Sequence, residues 1–272
     1  MSQVAAATPR LAEIFAAARR QGRCALVPFI TAGDPSLAAS RQIALALVRA
    51  GADVIELGIP FSDPVADGPV IQQSSERALA AGTRLADVLD LARAIRRESA
   101  VGLLFFGYFN PILRYGLERF AADASAAGAD GVLVTDLIPE EAADYRRVLA
   151  AHRLATVFLA APTSPDSRLE AIAAASTGFI YAVSRTGVTG ARERVPPGAP
   201  ELVARLRRYA RLPIALGFGI STAAQVKEVA AFADGAAVGT ALVAAVHAAV
   251  VRGGEAAAAP AAADFLESLR PR

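Results

Sequence analysis

Two carboxylates stand where this chain could do acid–base chemistry. Glu56 lies near the end of the apolar run Ala52-Asp53-Val54-Ile55-Glu56-Leu57, and Asp67 follows on the loop from Gly58 to Pro69. The run reads as a strand, so Glu56 shares a face with Val54 while Ile55 and Leu57 take the other. Both faces are largely apolar, as in a parallel strand covered on both sides. Glu56 is therefore expected to be shielded from water. Desolvation raises a carboxyl pKa, which suits a group that must both take and give a proton near neutrality. A structural role, with Glu56 paired to a backbone group or an arginine, fits the strand taken alone equally well. The loop holds three prolines, two glycines and two aspartates, too broken for helix or strand. Asp67 precedes Gly68-Pro69 and a helical run beginning near Val70, so capping that helix or initiating a turn remains a second reading for it.

Three glycine-bearing segments complete the inventory: Gly187-Val188-Thr189-Gly190, Gly217-Phe218-Gly219-Ile220-Ser221-Thr222 and Gly239-Thr240. Each follows a predicted strand and precedes a predicted helix. Glycine lets a backbone approach a ligand, and a helix N-terminus offers free N–H groups, which together make a phosphate site. Gly217-Phe218-Gly219 lacks the third glycine of a dinucleotide fingerprint. Lys227 is the only lysine and falls inside a helix, which argues against a Schiff-base mechanism. His152 and His247 sit on helical segments, leaving no histidine-based triad or metal site. Cys24 is the only cysteine and reads as a small core residue. Carboxylates and tyrosines are left to move protons on a substrate held by its phosphate.

The elements that must position these groups alternate. Strands are predicted at Ala25–Ile30, Asp53–Leu57, Val101–Phe106, Gly131–Val134, Thr156–Leu159, Phe179–Val183, Pro213–Leu216 and Ala236–Val238. Helical segments between them include Leu37–Ala50, Leu85–Arg97, Glu140–His152, Arg168–Ala175, Pro200–Tyr209, Thr222–Phe232 and Ala241–Val251. Eight βα units at this length favour a single-domain α/β fold, a (β/α)8 TIM barrel spanning residues 1–272. Gly51-Ala52-Asp53, Gly128-Ala129-Asp130 and Ala233-Asp234-Gly235 form a faint repeat, each closing a helix and opening a strand. Leu11, Ile14, Phe15 and Ala18 at helical spacing predict an extra helix within residues 1–22 that covers the barrel floor. Residues 253–272 read as a tail with a short docking helix carried by Phe265, Leu266 and Leu269. In such a barrel the active site lies at the C-terminal ends of the strands, where Glu56, Asp67 and the glycine loops all fall.

Composition sets the outer bounds. The chain has 272 residues, 54% hydrophobic and 6% aromatic, enough for one large core. Its 28 basic and 26 acidic residues leave a net charge of +2, with arginines spread along helical faces rather than in a nucleic-acid-binding block. Residues 1–9 lack the features of a signal peptide and no apolar stretch is long enough to span a bilayer, so a soluble cytoplasmic protein is expected.

The run Glu56-Leu57-Gly58-Ile59-Pro60-Phe61-Ser62-Asp63-Pro64-Val65-Ala66-Asp67-Gly68-Pro69 closely resembles the signature of the tryptophan synthase alpha subunit family. Pro28-Phe29-Ile30-Thr31-Ala32-Gly33-Asp34-Pro35, Tyr181 to Gly190 and Gly217-Phe218-Gly219-Ile220-Ser221 are similar to further family segments, in the same order. The resemblance implies a lyase that cleaves indole-3-glycerol phosphate to indole and glyceraldehyde 3-phosphate by a retro-aldol reaction. It implies Glu56 as the acid–base residue and Asp67 as the group engaging the indole N–H. Phe29, Phe106, Tyr108 and Tyr181 would line the substrate pocket. Thr189 would belong to a lid over Ser184–Pro197 that closes towards Asp67, and Gly190, Gly219, Gly239 and Thr240 would bind phosphate, Thr240 standing where serine is usual. The resemblance implies no cofactor or metal in this chain. It implies a beta subunit carrying pyridoxal phosphate, which receives the indole within an alpha2beta2 complex and meets this chain near Pro60 to Asp63 and Asn110. Two segments depart from the family pattern, Phe105 to Asn110 and Ile138, the second where many members have proline. A phosphosugar isomerase, a free-standing indole-glycerol-phosphate lyase and a binding-only activator of a beta subunit remain as competing readings.

Overall fold

A computed structural model describes residues 10–183, 195–217 and 219–270. In chain order it contains α1 (Arg10–Arg20), β1 (Ala25–Thr31), α2 (Leu37–Arg49), β2 (Val54–Gly58), α3 (Pro69–Ala80) and α4 (Leu85–Glu98). Next come β3 (Gly102–Gly107), α5 (Phe109–Tyr115), α6 (Leu117–Ala126), β4 (Gly131–Val134), α7 (Ala143–Ala151) and β5 (Ala155–Ala160). Then follow α8 (Asp166–Ala175), β6 (Ile180–Val183), α9 (Gly198–Leu206), β7 (Ile214–Gly217), α10 (Ala223–Ala230) and β8 (Gly235–Val238). The chain ends with α11 (Thr240–Gly253), a 3-10 turn (Glu255–Ala257) and α12 (Ala258–Ser268). All eight strands are parallel and β8 pairs back onto β1, which closes a TIM barrel.

Strand ends fall within a residue of their predicted positions, because each is set by an apolar run between turn residues. Two helices, α5 and α6, were not read from the sequence; Pro111 sits in the first turn of one and Gly116, at φ +97°, separates them. Helix α7 begins at Ala143 rather than Glu140, since residues 139–141 form a turn.

Alternation along the strands sorts side chains into two cores. Val54 joins Ala25, Val27, Leu104 and Val157 inside the barrel, while Ile55 and Leu57 pack outward against the helices. Helix α1 plugs the interior from below, with Leu11 and Phe15 buried among the inward residues. Glycines make room for it. A Cβ on Gly235 would lie 2.7 Å from the Phe15 ring, and one on Gly178 or Gly102 would lie 3.0 Å or 3.1 Å from Leu11 or Ile14.

The faint repeat has a structural cause. Asp53, just before β2, accepts the Leu26 N–H of β1 at 2.8 Å. Asp130, before β4, accepts the Leu103 N–H of β3 at 2.8 Å, and Asp234, before β8, accepts the Ile214 N–H of β7 at 2.7 Å. The fourth member carries no aspartate in sequence: Thr177, before β6, accepts the Thr156 N–H of β5 at 2.9 Å. Each clip thus fastens an even strand to the odd strand before it. The three charged clips are matched by Arg23, Arg96 and Arg207. The neutral threonine needs no such counter-charge.

At the C-terminal end α12 packs on α2 and α11, burying Ala262, Leu266 and Leu269. Pro260 lies in its first turn, where a missing N–H leaves no helical bond unmade. No described helix is long and apolar enough to cross a membrane.

Candidate active site

A cavity of about 140 Å3 opens at the C-terminal ends of the strands. Its apolar wall is formed by Phe29, Ile71, Phe106, Leu159 and Val183, and its polar groups are Glu56, Asp67, Thr135, Tyr181 and Thr240. Gly217, Gly219 and Gly239 border it on the β7 and β8 side.

Glu56 comes from the inward face of β2, opposite Phe29 of β1. It is 1% exposed, and its Oε1 has no hydrogen-bond partner among the described residues. Neither of the structural partners left open by the sequence is found for this oxygen. Burial pushes the carboxyl up to about 8 from an ordinary value of 4.5, because ionisation there gains little from water.

Asp67 is held by a different device. The N-cap of α3 is Gly68, and the Asp67 side chain makes no capping bond to that helix. Its Oδ2 instead accepts the Tyr108 hydroxyl at 3.0 Å, and the same phenol oxygen accepts the Ala66 N–H at 3.0 Å. Gln72 donates to the Asp67 carbonyl at 2.9 Å. Burial raises the Asp67 pKa, while the bond from Tyr108 works in the opposite direction. Tyr108 does not itself line the cavity. It stands behind Asp67, with its ring 5.2 Å from Phe61 of the same loop.

Aromatic packing sets the cavity floor. Phe29 and Phe106 meet edge-on at 5.4 Å, and Phe106 meets Tyr181 at 6.1 Å. Two strand-end glycines admit these rings. A Cβ on Gly58 would lie 2.4 Å from Phe29, and one on Gly217 would lie 2.4 Å from Tyr181. Gly217 therefore makes space for a ring, a role that loop composition alone does not reveal. The Tyr181 phenol is raised well above its usual pKa, first by burial and then by the nearby carboxyls of Glu56 and Asp67.

On the far side, Gly239 is the N-cap of α11 and Thr240 its first residue, so the first-turn N–H groups of that helix begin at the cavity edge. Gly219 lies on the adjoining loop after β7. Thr189 and Gly190, with the rest of the lid segment up to residue 194, lie outside the described residues, as does Phe218.

Sequence reasoning missed Thr135. It follows β4 directly, its N–H and hydroxyl both donating to the Gly107 carbonyl, at 2.9 Å and 3.2 Å. Its place one residue beyond an apolar strand was the available signal. Among the described residues no group of histidine, cysteine, aspartate and glutamate is arranged to hold a metal.

A family model described as tryptophan synthase alpha chain matches residues 15–266. The chain belongs to the tryptophan synthase alpha chain family. The curated tryptophan synthase alpha chain of Geobacter sulfurreducens is 53% identical over 234 residues, covering 86% of this chain and 89% of the relative. Among solved structures, the Legionella pneumophila tryptophan synthase alpha subunit superposes with a TM-score of 0.88 at 37% identity, covering 96% of this chain and 97% of that one. A chain of the Pyrococcus furiosus tryptophan synthase complex superposes at 0.82 and 38% identity, covering 91% and 98%. The matched span of the tryptophan synthase alpha chain model contains every cavity residue named above.

Proposed function

We propose that this chain cleaves indole-3-glycerol phosphate into indole and glyceraldehyde 3-phosphate, with Glu56 as the proton-transfer group. The observation that carries the reading is a buried carboxyl with one unbonded oxygen, facing a cavity that also holds Asp67. The reaction breaks the bond between the indole ring carbon and the hydroxyl-bearing carbon of the side chain. A proton must reach the ring carbon, and the hydroxyl must lose one as its carbon becomes an aldehyde. The electron pair of the broken bond returns to the ring and restores its aromaticity. The donor and acceptor sites are on adjacent carbons, so one carboxyl serves both, and a pKa near 8 keeps Glu56 protonated and able to start the sequence at neutrality. Protonating the ring makes its nitrogen electron-poor, and the Asp67 carboxylate accepts the N–H and stabilises that charge.

The remaining roles follow from position. Phe29, Phe106 and Tyr181 sandwich the flat ring, and Tyr108 orients Asp67 rather than touching substrate. Gly219, Gly239, Thr240 and the N-terminus of α11 bind the phosphate. Gly190 joins them, and Thr189 supplies a lid contact to Asp67, in the segment outside the described residues. The product indole passes to a beta subunit in an alpha2beta2 assembly in the cytoplasm; the pyridoxal phosphate belongs to that subunit, and this chain takes no cofactor. In support, Val65, Leu113 and Ile138 are 82%, 57% and 40% exposed on the segments that follow β2, β3 and β4, at the same end of the barrel as the cavity. The solved Pyrococcus furiosus relative is itself a complex.

The test is release of indole from indole-3-glycerol phosphate by the purified chain, alone and with a tryptophan synthase beta subunit. Cleavage that rises on adding the partner supports the whole reading. Cleavage without any response supports a free-standing lyase, and no cleavage in either assay overturns the catalytic assignment.

A further inference from the structure

Some of the arginines that lie apart in the sequence meet in space. Five of them, Arg19, Arg23, Arg207, Arg208 and Arg211, line one hollow of about 860 Å3, with Asp234 as its single carboxylate. It lies between the end of α1, the segment after α9 and the turn from α10 into β8, at the end of the barrel opposite the cavity. A neighbouring cavity of about 230 Å3 shares Arg19, Arg207, Arg211 and Asp234.

The ion pairs already present account for only part of this charge. Arg23 grips Asp53 with two nitrogens, at 2.6 Å and 2.8 Å, and Arg207 is paired with Asp234. Arg208 reaches Asp166 at 3.7 Å, but that carboxylate is held closer by Arg205, at 2.7 Å. Arg19 and Arg211 make no ion pair among the described residues, and both belong to the walls of both hollows. The surplus is therefore two full guanidinium charges and part of a third. Like charges gathered in a concave, partly desolvated surface repel one another and focus a positive potential there. Guanidinium groups offer paired N–H donors that match phosphate oxygens. Tyr209, 36% exposed, adds an aromatic surface to the same wall.

We infer that this hollow binds a small phosphate ester or diphosphate carrying at least two negative charges, chiefly through Arg19 and Arg211. The site is separate from the cavity that holds Glu56, and occupation of one does not require the other.

Calorimetric titration of the full chain with pyrophosphate, and separately with a nucleoside diphosphate, tests the inference. Replacing both uncommitted groups, Arg19→Gln with Arg211→Gln, is expected to weaken binding at this site at least about tenfold. Both side chains are exposed, so the melting temperature and indole-3-glycerol phosphate cleavage should stay at wild-type values. Binding should also weaken with added salt. Pyrophosphate that entered the cavity instead would inhibit cleavage and bind the double variant as tightly as the wild type. That result, or no binding of either probe to the wild type, would overturn the inference.

Discussion

At the floor of the barrel Asp130 is buried against Arg96 and the Leu103 N–H; at the top Glu56 is buried with nothing described to bond its Oε1. The two are almost equally hidden, at 4% and 1% exposure. Burial raises the pKa of both, but at Asp130 the Leu103 N–H, Arg96 and Arg10 pull it back down, and at Glu56 nothing does. A buried charge is tolerated when a counter-ion and N–H groups replace its water, and a carboxyl without them keeps its proton instead. Asp53 and Asp234 follow the floor pattern, each with a backbone N–H and an arginine. Asp67 falls between the extremes, with a single neutral donor from Tyr108. The carboxylates of the floor are thus matched by arginines, whereas Glu56, the proposed proton-transfer group, has no described ionic partner.

The sharpest way to break this contrast is Glu56→Gln, which should lower indole-3-glycerol phosphate cleavage by about 10³-fold in kcat. The same substitution reports on stability. Burial raises the folded-state pKa to about 8, so between pH 4.5 and 8 the native chain holds a proton that the unfolded chain has released. Stability from this group is complete below that window and declines as pH rises through it. Glu56→Gln removes the decline, so the melting temperature of the variant should gain on the wild type from pH 5 to about pH 8 and then run parallel. A constant difference across that range would contradict the buried, unpartnered state. In the wild type, kcat/KM should fall above about pH 8 as the donor form is lost.

At the other end, Asp130→Ala leaves the Arg96 charge and a strand N–H unmatched, and should cost about 3 kcal/mol in urea unfolding with little change in kcat/KM. A large kinetic effect would show that the two ends are not independent. Tyr108→Phe tests the intermediate case; losing the bond to Asp67 should reduce kcat/KM by about tenfold while barely moving the unfolding midpoint. The smallest effect belongs to Arg41→Ala, whose pair with Glu98 is 42% and 43% exposed and should contribute less than about 0.5 kcal/mol.

The barrel was legible because apolar runs of four to seven residues alternate with helical periods, and Glu56 was legible because one charge interrupts such a run. Three features were not. Tyr108 acts through Asp67, a contact across 41 positions that no local pattern carries. Thr177 does the work of an aspartate in the clip repeat, so the repeat showed three members rather than four. The arginines of the floor hollow come from α1, the turn between α1 and β1 and the segment after α9, and only closure of the barrel brings them together.

The clips also divide the molecule. Each lies within a pair, β1 with β2, β3 with β4, β5 with β6 and β7 with β8, so the barrel is built from four fastened quarters. A chain opened or split after β2, β4 or β6 keeps every fastener inside one piece. A cut between β1 and β2 separates Asp53 from Leu26. Fragment complementation or circular permutation should therefore respect the boundaries between quarters, and the β4–β5 junction is the place where two self-contained halves meet.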